Sequence, residues 1–198
     1  LDSISPHGAV TSIPGFGKLK ERINLTKGVG YIIGALVGDG WYDKIRGSFA
    51  RVNLAGIEKE VVEGFLSNIT QIFKEMPYVG YRESFESYGK SERHYICSTD
   101  FAEWIAPLIG KGAKNKHLPS FWFSAPREFK LGLLSGLLDT DGSIAICHGK
   151  EKPQLSANIS SISLRLLQEA QHLLQTLGVK SRISFSKKTQ VGNDFWSL

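Results

Sequence analysis

Two segments of the chain, "GVGYIIGALVGDGWY" at 28–42 and "KLGLLSGLLDTDGSI" at 130–144, run apolar and stop on the same Asp-Gly pair. Aligning Asp39 with Asp141 and Gly40 with Gly142 gives a shift of 141 − 39 = 102 residues. That shift carries Gly30, Gly34 and Gly38 onto Gly132, Gly136 and Thr140, so small residues recur at every fourth position in both copies. Such a spacing lies on one helical face, and a face without side chains lets two helix backbones approach closely. The duplication predicts two helices packed together about a pseudo-two-fold axis, both ending at one level. Asp39 and Asp141 would then meet at the floor of the interface.

A helix's C-terminal end carries partial negative charge, so a carboxylate there is unfavourable by a few tenths of a kcal/mol, up to about 1 kcal/mol. Two such carboxylates also repel each other. The arrangement becomes favourable when cations fill the space, because carboxylates and free backbone carbonyls are hard oxygen ligands. Asp39 and Asp141, with Gly38 and Thr140 beside them, are therefore the candidate metal residues. Sparse carboxylate ligation with retained waters suits Mg²⁺, with Mn²⁺ able to substitute. "DTDGS" does not make a calcium loop: its glycine comes too early, and Lys150 stands where a closing glutamate is needed. Asp139 has Val37 as its counterpart and reads as a structural residue.

The rest of each copy follows in the same order. Residues 48–54 read as a strand, and the apolar positions from Ile57 to Phe73 fit one helical face. Residues 78–98 read as a hairpin about Gly89, and 99–109 as a short helix opened by a Ser/Thr/Asp cluster. In the second copy, "SIAICH" and "LSANISSI" read as strands, "SLRLLQEAQHLLQTLGV" as a helix stopping at Gly178, and 181–198 as a hairpin. The expected fold class is α+β, with two pseudo-two-fold αββαββ repeats and an extra helix in the first. The expected organisation is an extension over 1–26, a first repeat over 27–120 and a second over 121–198. The counterpart of the 99–109 helix would lie past Leu198, as expected of a segment of a longer polypeptide.

Lysine and arginine number 24 against 19 acidic residues, a formal charge of +5, which favours a polyanionic partner. No apolar run reaches the ~18–20 residues of a membrane span, and the first residues lack the pattern of a signal peptide. Cys97 and Cys147 make neither a zinc spacing nor a disulfide framework and read as reduced, which suggests an intracellular protein of open compartment. His117 and His148 lack metal-spaced partners. The four tryptophans, Trp41, Trp104, Trp122 and Trp196, read as packing residues.

With these residues in view, "IIGALVGDG" (32–40) and "LSGLLDTDG" (134–142) resemble the two signature helices of the LAGLIDADG homing endonucleases. "KHLPSFWFSAPREFKLGLLSGLLDTDG" resembles the linker and second motif of the subfamily carried inside inteins, and "LLQTLGVKSRI" (173–183) that subfamily's following helix-to-strand segment. The resemblance implies antiparallel sheets forming a saddle over double-stranded DNA, and a monomer with internal pseudo-symmetry. It implies site-specific, metal-dependent hydrolysis of both strands at a long target. The metal-binding acids map to Asp39 and Asp141. The catalytic lysine near the linker best matches Lys116 in "NKHLP", ahead of Lys114. The first signature departs from the pattern at Val37, which replaces the usual acid.

Two-stranded ribbons fit the major groove. The candidate DNA contacts are Tyr42, Lys44, Arg46, Arg51, Arg82, Lys90 and Arg93 in the first repeat. In the second they are Lys150, Lys152, Arg182, Lys187 and Lys188. Strand alternation allows about half of them to face DNA. The rival expectation is a non-cleaving nucleic-acid binder of the same fold, a splicing maturase or a regulator.

Overall fold

The structure is a computed structural model, and it describes residues 1–4, 19–56, 58–86, 89–148, 153–188 and 194–198. Helix α1 (Lys27–Asp39) passes without a loop into β3 (Gly40–Ile45), which forms a hairpin with β4 (Ser48–Ala55). Helix α2 (Lys59–Asn68), strands β5 (Val79–Glu86) and β6 (Gly89–Cys97), and α3 (Thr99–Ile109) complete the first repeat. The second repeat is α4 (Arg127–Asp141), β7 (Gly142–His148), β8 (Pro153–Ser161), α5 (Leu164–Thr176), β9 (Ser184–Lys188) and β10 (Asp194–Ser197). The two four-stranded antiparallel sheets run β3-β4-β6-β5 and β7-β8-β10-β9, which is one topology used twice.

Helix boundaries follow local chemistry. Thr26 caps α1, accepting from the Val29 amide at 3.2 Å; Ser98 and Ser163 cap α3 and α5 in the same way. Residues 45–48 form a tight turn with Arg46 at φ 52° and Gly47 at φ 87°, the geometry of a two-residue hairpin turn. Gly178 at φ 85° ends α5, with the Val179 amide reaching back to the Leu174 carbonyl at 2.9 Å. The helix expected from Ile57 to Phe73 is shorter. It stops at Asn68, whose side-chain amide takes the Gly64 carbonyl at 2.7 Å, and a 3₁₀ turn over Ile69–Gln71 follows.

The core lies between the helices and one face of each sheet. Val52, Leu54 and Ile96 are buried beneath α1 and α3, and Ile159 beneath the second repeat's helices. The described residues of the 1–26 extension are packed down. A short β1 (Ser3–Ile4) pairs with β2 (Ile23–Asn24), and Ile23 and Leu25 are buried.

The repeats differ in how their sheets are covered. Gly40 pairs with Leu54 and Gly142 with Ile159, so Tyr42 and Phe49 correspond to Ile144 and Leu155. Tyr42 and Phe49 are half-buried against the core, whereas Ile144 and Leu155 are 70% and 75% exposed. Helix α3 lies over the first sheet, and no described residue lies equivalently over the second.

Candidate functional site

The α1/α4 interface is built from backbone. A methyl group at Gly30 would overlap the Phe129 carbonyl and stand 2.9 Å from the Leu133 nitrogen. One at Gly132 would overlap the Lys27 carbonyl and stand 3.0 Å from the Tyr31 nitrogen. Subtracting 102 from 129 and 133 gives 27 and 31, so these contacts are exchanged by the sequence duplication. Gly34 against Leu133 and Gly136 against Tyr31 form the next reciprocal pair, and Gly38 meets Thr140 at the bottom. Side chains flank this seam asymmetrically. The Tyr31 hydroxyl donates to Asp139 at 2.9 Å, and burial together with that bond pushes its pKa up. The equivalent positions, Leu133 and Val37, are fully buried apolar residues. Tyr31→Phe is expected to cost about 1 kcal/mol in urea denaturation.

Asp39 and Asp141 emerge where the seam ends. Asp39 keeps a solvent-accessible edge, and Asp141 is half-buried. Burial and the charge of Asp39 push the Asp141 carboxyl up to about 6, with Lys116 opposing. Asp39 is also raised, first by desolvation and further by Glu58, again against Lys116. The Lys116 ammonium donates to the Gly40 carbonyl at 3.0 Å and to the Gly38 carbonyl, neutralising the negative end of α1. Desolvation lowers its pKa while Asp141 and Asp39 pull it back up. Neither helix has a basic residue of its own in the last turn.

All three groups line one cleft of about 490 Å³, which also includes Trp41, Ser160 and Ser161. A neighbouring cleft of about 320 Å³ joins Asp39 to Glu58, Asp139 and Thr140. Among the described residues, no three His, Cys, Asp or Glu side chains converge as a closed metal cage. Two hard-oxygen acids in one cleft, both with raised proton affinity, fit a divalent cation, with coordination positions left for water or phosphate. Two sequence expectations meet other partners here. Lys116 donates to the Gly38 carbonyl, which leaves that oxygen one lone pair for a metal. The Thr140 hydroxyl is turned back onto the Gly136 and Leu137 carbonyls. Lys114 is exposed, away from the acids.

Strand register divides the expected DNA contacts between faces. Arg51, Arg82 and Arg93 alternate with the buried Val52, Leu54 and Ile96, and so lie on the open face of the first sheet. Tyr42, Lys44 and Lys90 fall on the opposite, helix-side face. There Tyr42 packs on Phe49, the Lys44 ammonium sits 4.2 Å from the Phe49 ring centroid, and Lys90 pairs with Glu83 and Glu92. Lys44 is on that side by simple alternation with Tyr42, and a bulge at Ala50 in β4 turns Phe49 to meet it. Arg46 is at the exposed hairpin tip. Arg182 lines a cleft of about 560 Å³ between α4, α5 and the second sheet, off the open face. Lys187 and Lys188 stand on β9 opposite Phe195 and Asp194, and Lys150 and Lys152 lie outside the described residues.

The open face also carries residues that charge counting missed. Asp43 holds Arg51 Nε at 2.6 Å and Asn53 Nδ2 at 3.2 Å, and the Arg51 guanidinium lies 5.6 Å from the Tyr95 ring centroid. Asn53 and Asn158 are the residues before Leu54 and Ile159, so they are equivalent, and both keep a buried, unpaired Oδ1. The sequence does not single them out: β4 also carries Arg51 and β8 Gln154, and the asparagines stand 14 and 17 residues after Asp39 and Asp141, so only the strand register makes them equivalent. Trp104 and Trp122 are buried, whereas Trp41 belongs to the open face and the acidic cleft.

Residues 128–197 match the model of a LAGLIDADG-like domain. The chain is 27% identical over 192 residues to the ATP-dependent DNA helicase Hel308 of Thermococcus kodakarensis, covering 94% of this chain and 16% of the helicase. It is 29% identical over 156 residues to a DNA polymerase of Thermococcus sp. strain GE8, covering 76% of this chain and 8% of the polymerase. It is 27% identical to the ribonucleoside-diphosphate reductase NrdEB subunit alpha of Bacillus subtilis, covering 88% and 16%. The chain thus spans a sixth or less of these relatives' lengths. In three dimensions it is similar to mesophilic variants of the homing endonuclease I-DmoI, with TM-score 0.60, 12% identity and 87% of both chains covered. It is similar to I-DmoI in complex with DNA and Mn, with TM-score 0.55, 13% identity and coverage of 88% and 90%. The homing endonuclease I-WcaI bound to its DNA recognition sequence matches with TM-score 0.57, 13% identity and coverage of 88% and 76%. The protein therefore has the homing-endonuclease fold of two repeated α/β units, and its second repeat carries a LAGLIDADG-like domain.

Proposed function

We propose that the protein is a metal-dependent, site-specific double-strand DNA endonuclease of the LAGLIDADG homing type, acting as a monomer. The observation that carries this reading is the pairing of Asp39 and Asp141 at the end of a pseudo-symmetric glycine seam. A binder with no chemistry to perform gains nothing from two acids sharing one cleft, where desolvation raises both and the charge of Asp39 raises Asp141 further. Asp39 and Asp141 would hold Mg²⁺, or Mn²⁺ in its place, and the two I-DmoI and I-WcaI complexes with DNA show the fold engaged on a duplex. Bound there, divalent ions would supply an activated water and neutralise charge on the attacking and leaving oxygens. Lys116, which lines the same cleft as both acids, would neutralise the negative phosphate as it reacts. On the open face of the first sheet, Arg51, Arg82 and Arg93 would hold phosphates.

The relatives support an intein setting. A helicase, a polymerase and a reductase share no chemistry, yet each matches this chain over a small fraction of its length. A mobile domain lodged in unrelated hosts accounts for that pattern.

The test is plasmid nicking in Mg²⁺ against EDTA. Cleavage in Mg²⁺ alone supports the reading, and DNA binding without nicking would replace it with the non-cleaving maturase or regulator. Binding should also be face-specific. Arg82→Ala and Arg93→Ala are each expected to weaken duplex binding and flatten the slope of log K against log salt by about 1. Lys90→Ala, on the opposite face, should leave the slope unchanged.

A further inference from the structure

Lys116 reaches the end of α1, in the first repeat, but its backbone is gripped by α5, in the second. The Ser163 hydroxyl donates to the Lys116 carbonyl at 2.7 Å while serving as the cap that accepts from the Leu166 amide. Two residues on, the Leu118 amide donates to Glu169 Oε2 at 2.6 Å. The other oxygen, Oε1, is held by Arg165 Nε at 2.8 Å, which fixes the carboxylate's orientation. Leu118 itself is 1% exposed, anchored in the core. The three-residue span 116–118 is therefore tied to one helix at both ends.

A lysine side chain has four rotatable bonds and is strongly hydrated, so on a loose backbone its ammonium leaves a partly buried site for water. A short, charge-assisted bond to a main-chain amide is stronger than a neutral one, and deleting its acceptor leaves the amide unpaired. Neither Ser163 nor Glu169 touches the cleft that holds the acids.

We infer that Glu169 and Ser163 are positioning residues that hold Lys116 over the paired carboxylates, so that the second repeat sets the cation used at the first repeat's helix end. The functional half of this rests on the nuclease reading; the structural half does not. The test reads both. Amine-selective acetylation followed by mass spectrometry should label Lys116 about tenfold more slowly than the exposed Lys114 two residues away. Glu169→Ala should bring Lys116 to within about threefold of Lys114, with Lys114 unchanged, whereas Glu169→Gln, which keeps a carbonyl acceptor for the Leu118 amide, should retain protection. Plasmid nicking in Mg²⁺ should fall about tenfold in kcat for Glu169→Ala at unchanged KM, and recover in Glu169→Gln. Should Glu169→Ala fail to fold, Ser163→Asp still serves: aspartate can cap α5 but cannot donate to the Lys116 carbonyl, and Lys116 should again label faster. Unchanged Lys116 labelling in a folded variant overturns the inference. Faster labelling in a protein whose wild type never nicks DNA keeps the clamp and removes the nuclease.

Discussion

Replacing Gly34 or Gly136 with valine is expected to leave no folded protein. A side chain at Gly34 would overlap the Leu133 carbonyl and press on the Leu137 nitrogen 3.0 Å away; at Gly136 it would overlap the Tyr31 carbonyl. These neighbours are helix backbone and cannot turn aside, so the helices must part along their whole seam. Even Gly34→Ala should lose stability. The usual gain of about 1 kcal/mol for alanine over glycine in a helix is outweighed by overpacking of about 1–3 kcal/mol or more. Gly64→Ala is the control. In α2 an added methyl meets only the Tyr31 ring at 3.0 Å, and the change should stay within about 1 kcal/mol of zero. Urea denaturation with a constant m-value measures both.

Asp141→Asn is expected to abolish cleavage, by about a thousandfold or more, while making the metal-free protein more stable at neutral pH. Asp141 titrates near 6 in the folded protein against 3.8 ordinarily. Between those values the folded state binds a proton that the unfolded chain does not, so stability in EDTA rises as pH falls from 7 to 5. Above pH 6 the ionised carboxylate costs the fold on the order of 3 kcal/mol. Asparagine has no such cost. The variant's advantage in thermal melting should therefore be largest at pH 8 and fade towards pH 4. A melting difference that grows on acidification would contradict the burial of this acid.

The seam was legible in the sequence because its logic is one-dimensional. Four-residue glycine spacing, the repeat shift and the shared Asp-Gly ends state which faces meet, and the reciprocal contacts of Gly30 and Gly132 follow from that alone. The order of helices and strands along each repeat was legible in the same way, but not the order of strands within the sheets. What was not legible depends on local exceptions or on distance in the chain. The bulge at Ala50 reverses the side on which Phe49 stands, and no propensity announces it. Asn68 ends α2 early through one side-chain bond to Gly64. Arg182 carries the right charge in the wrong place, since its position is set by the packing of α4 and α5. Ser163 and Glu169 bind Lys116 and Leu118 from 47 and 51 residues away, and nothing about a serine cap or a helical glutamate shows that the linker will be tied to it.

The backbone seam has a mechanical consequence. Most two-part proteins meet through side chains that can repack, and so they can bend or slide at the junction. Here main chain rests on main chain, and the centre of the molecule has no joint. On the nuclease reading, the interval between the two severed bonds is then a constant of the polypeptide, out of reach of surface substitutions that change which duplex is bound. The fitting falls to the DNA, which must bend or narrow to bring its phosphates to a fixed gauge.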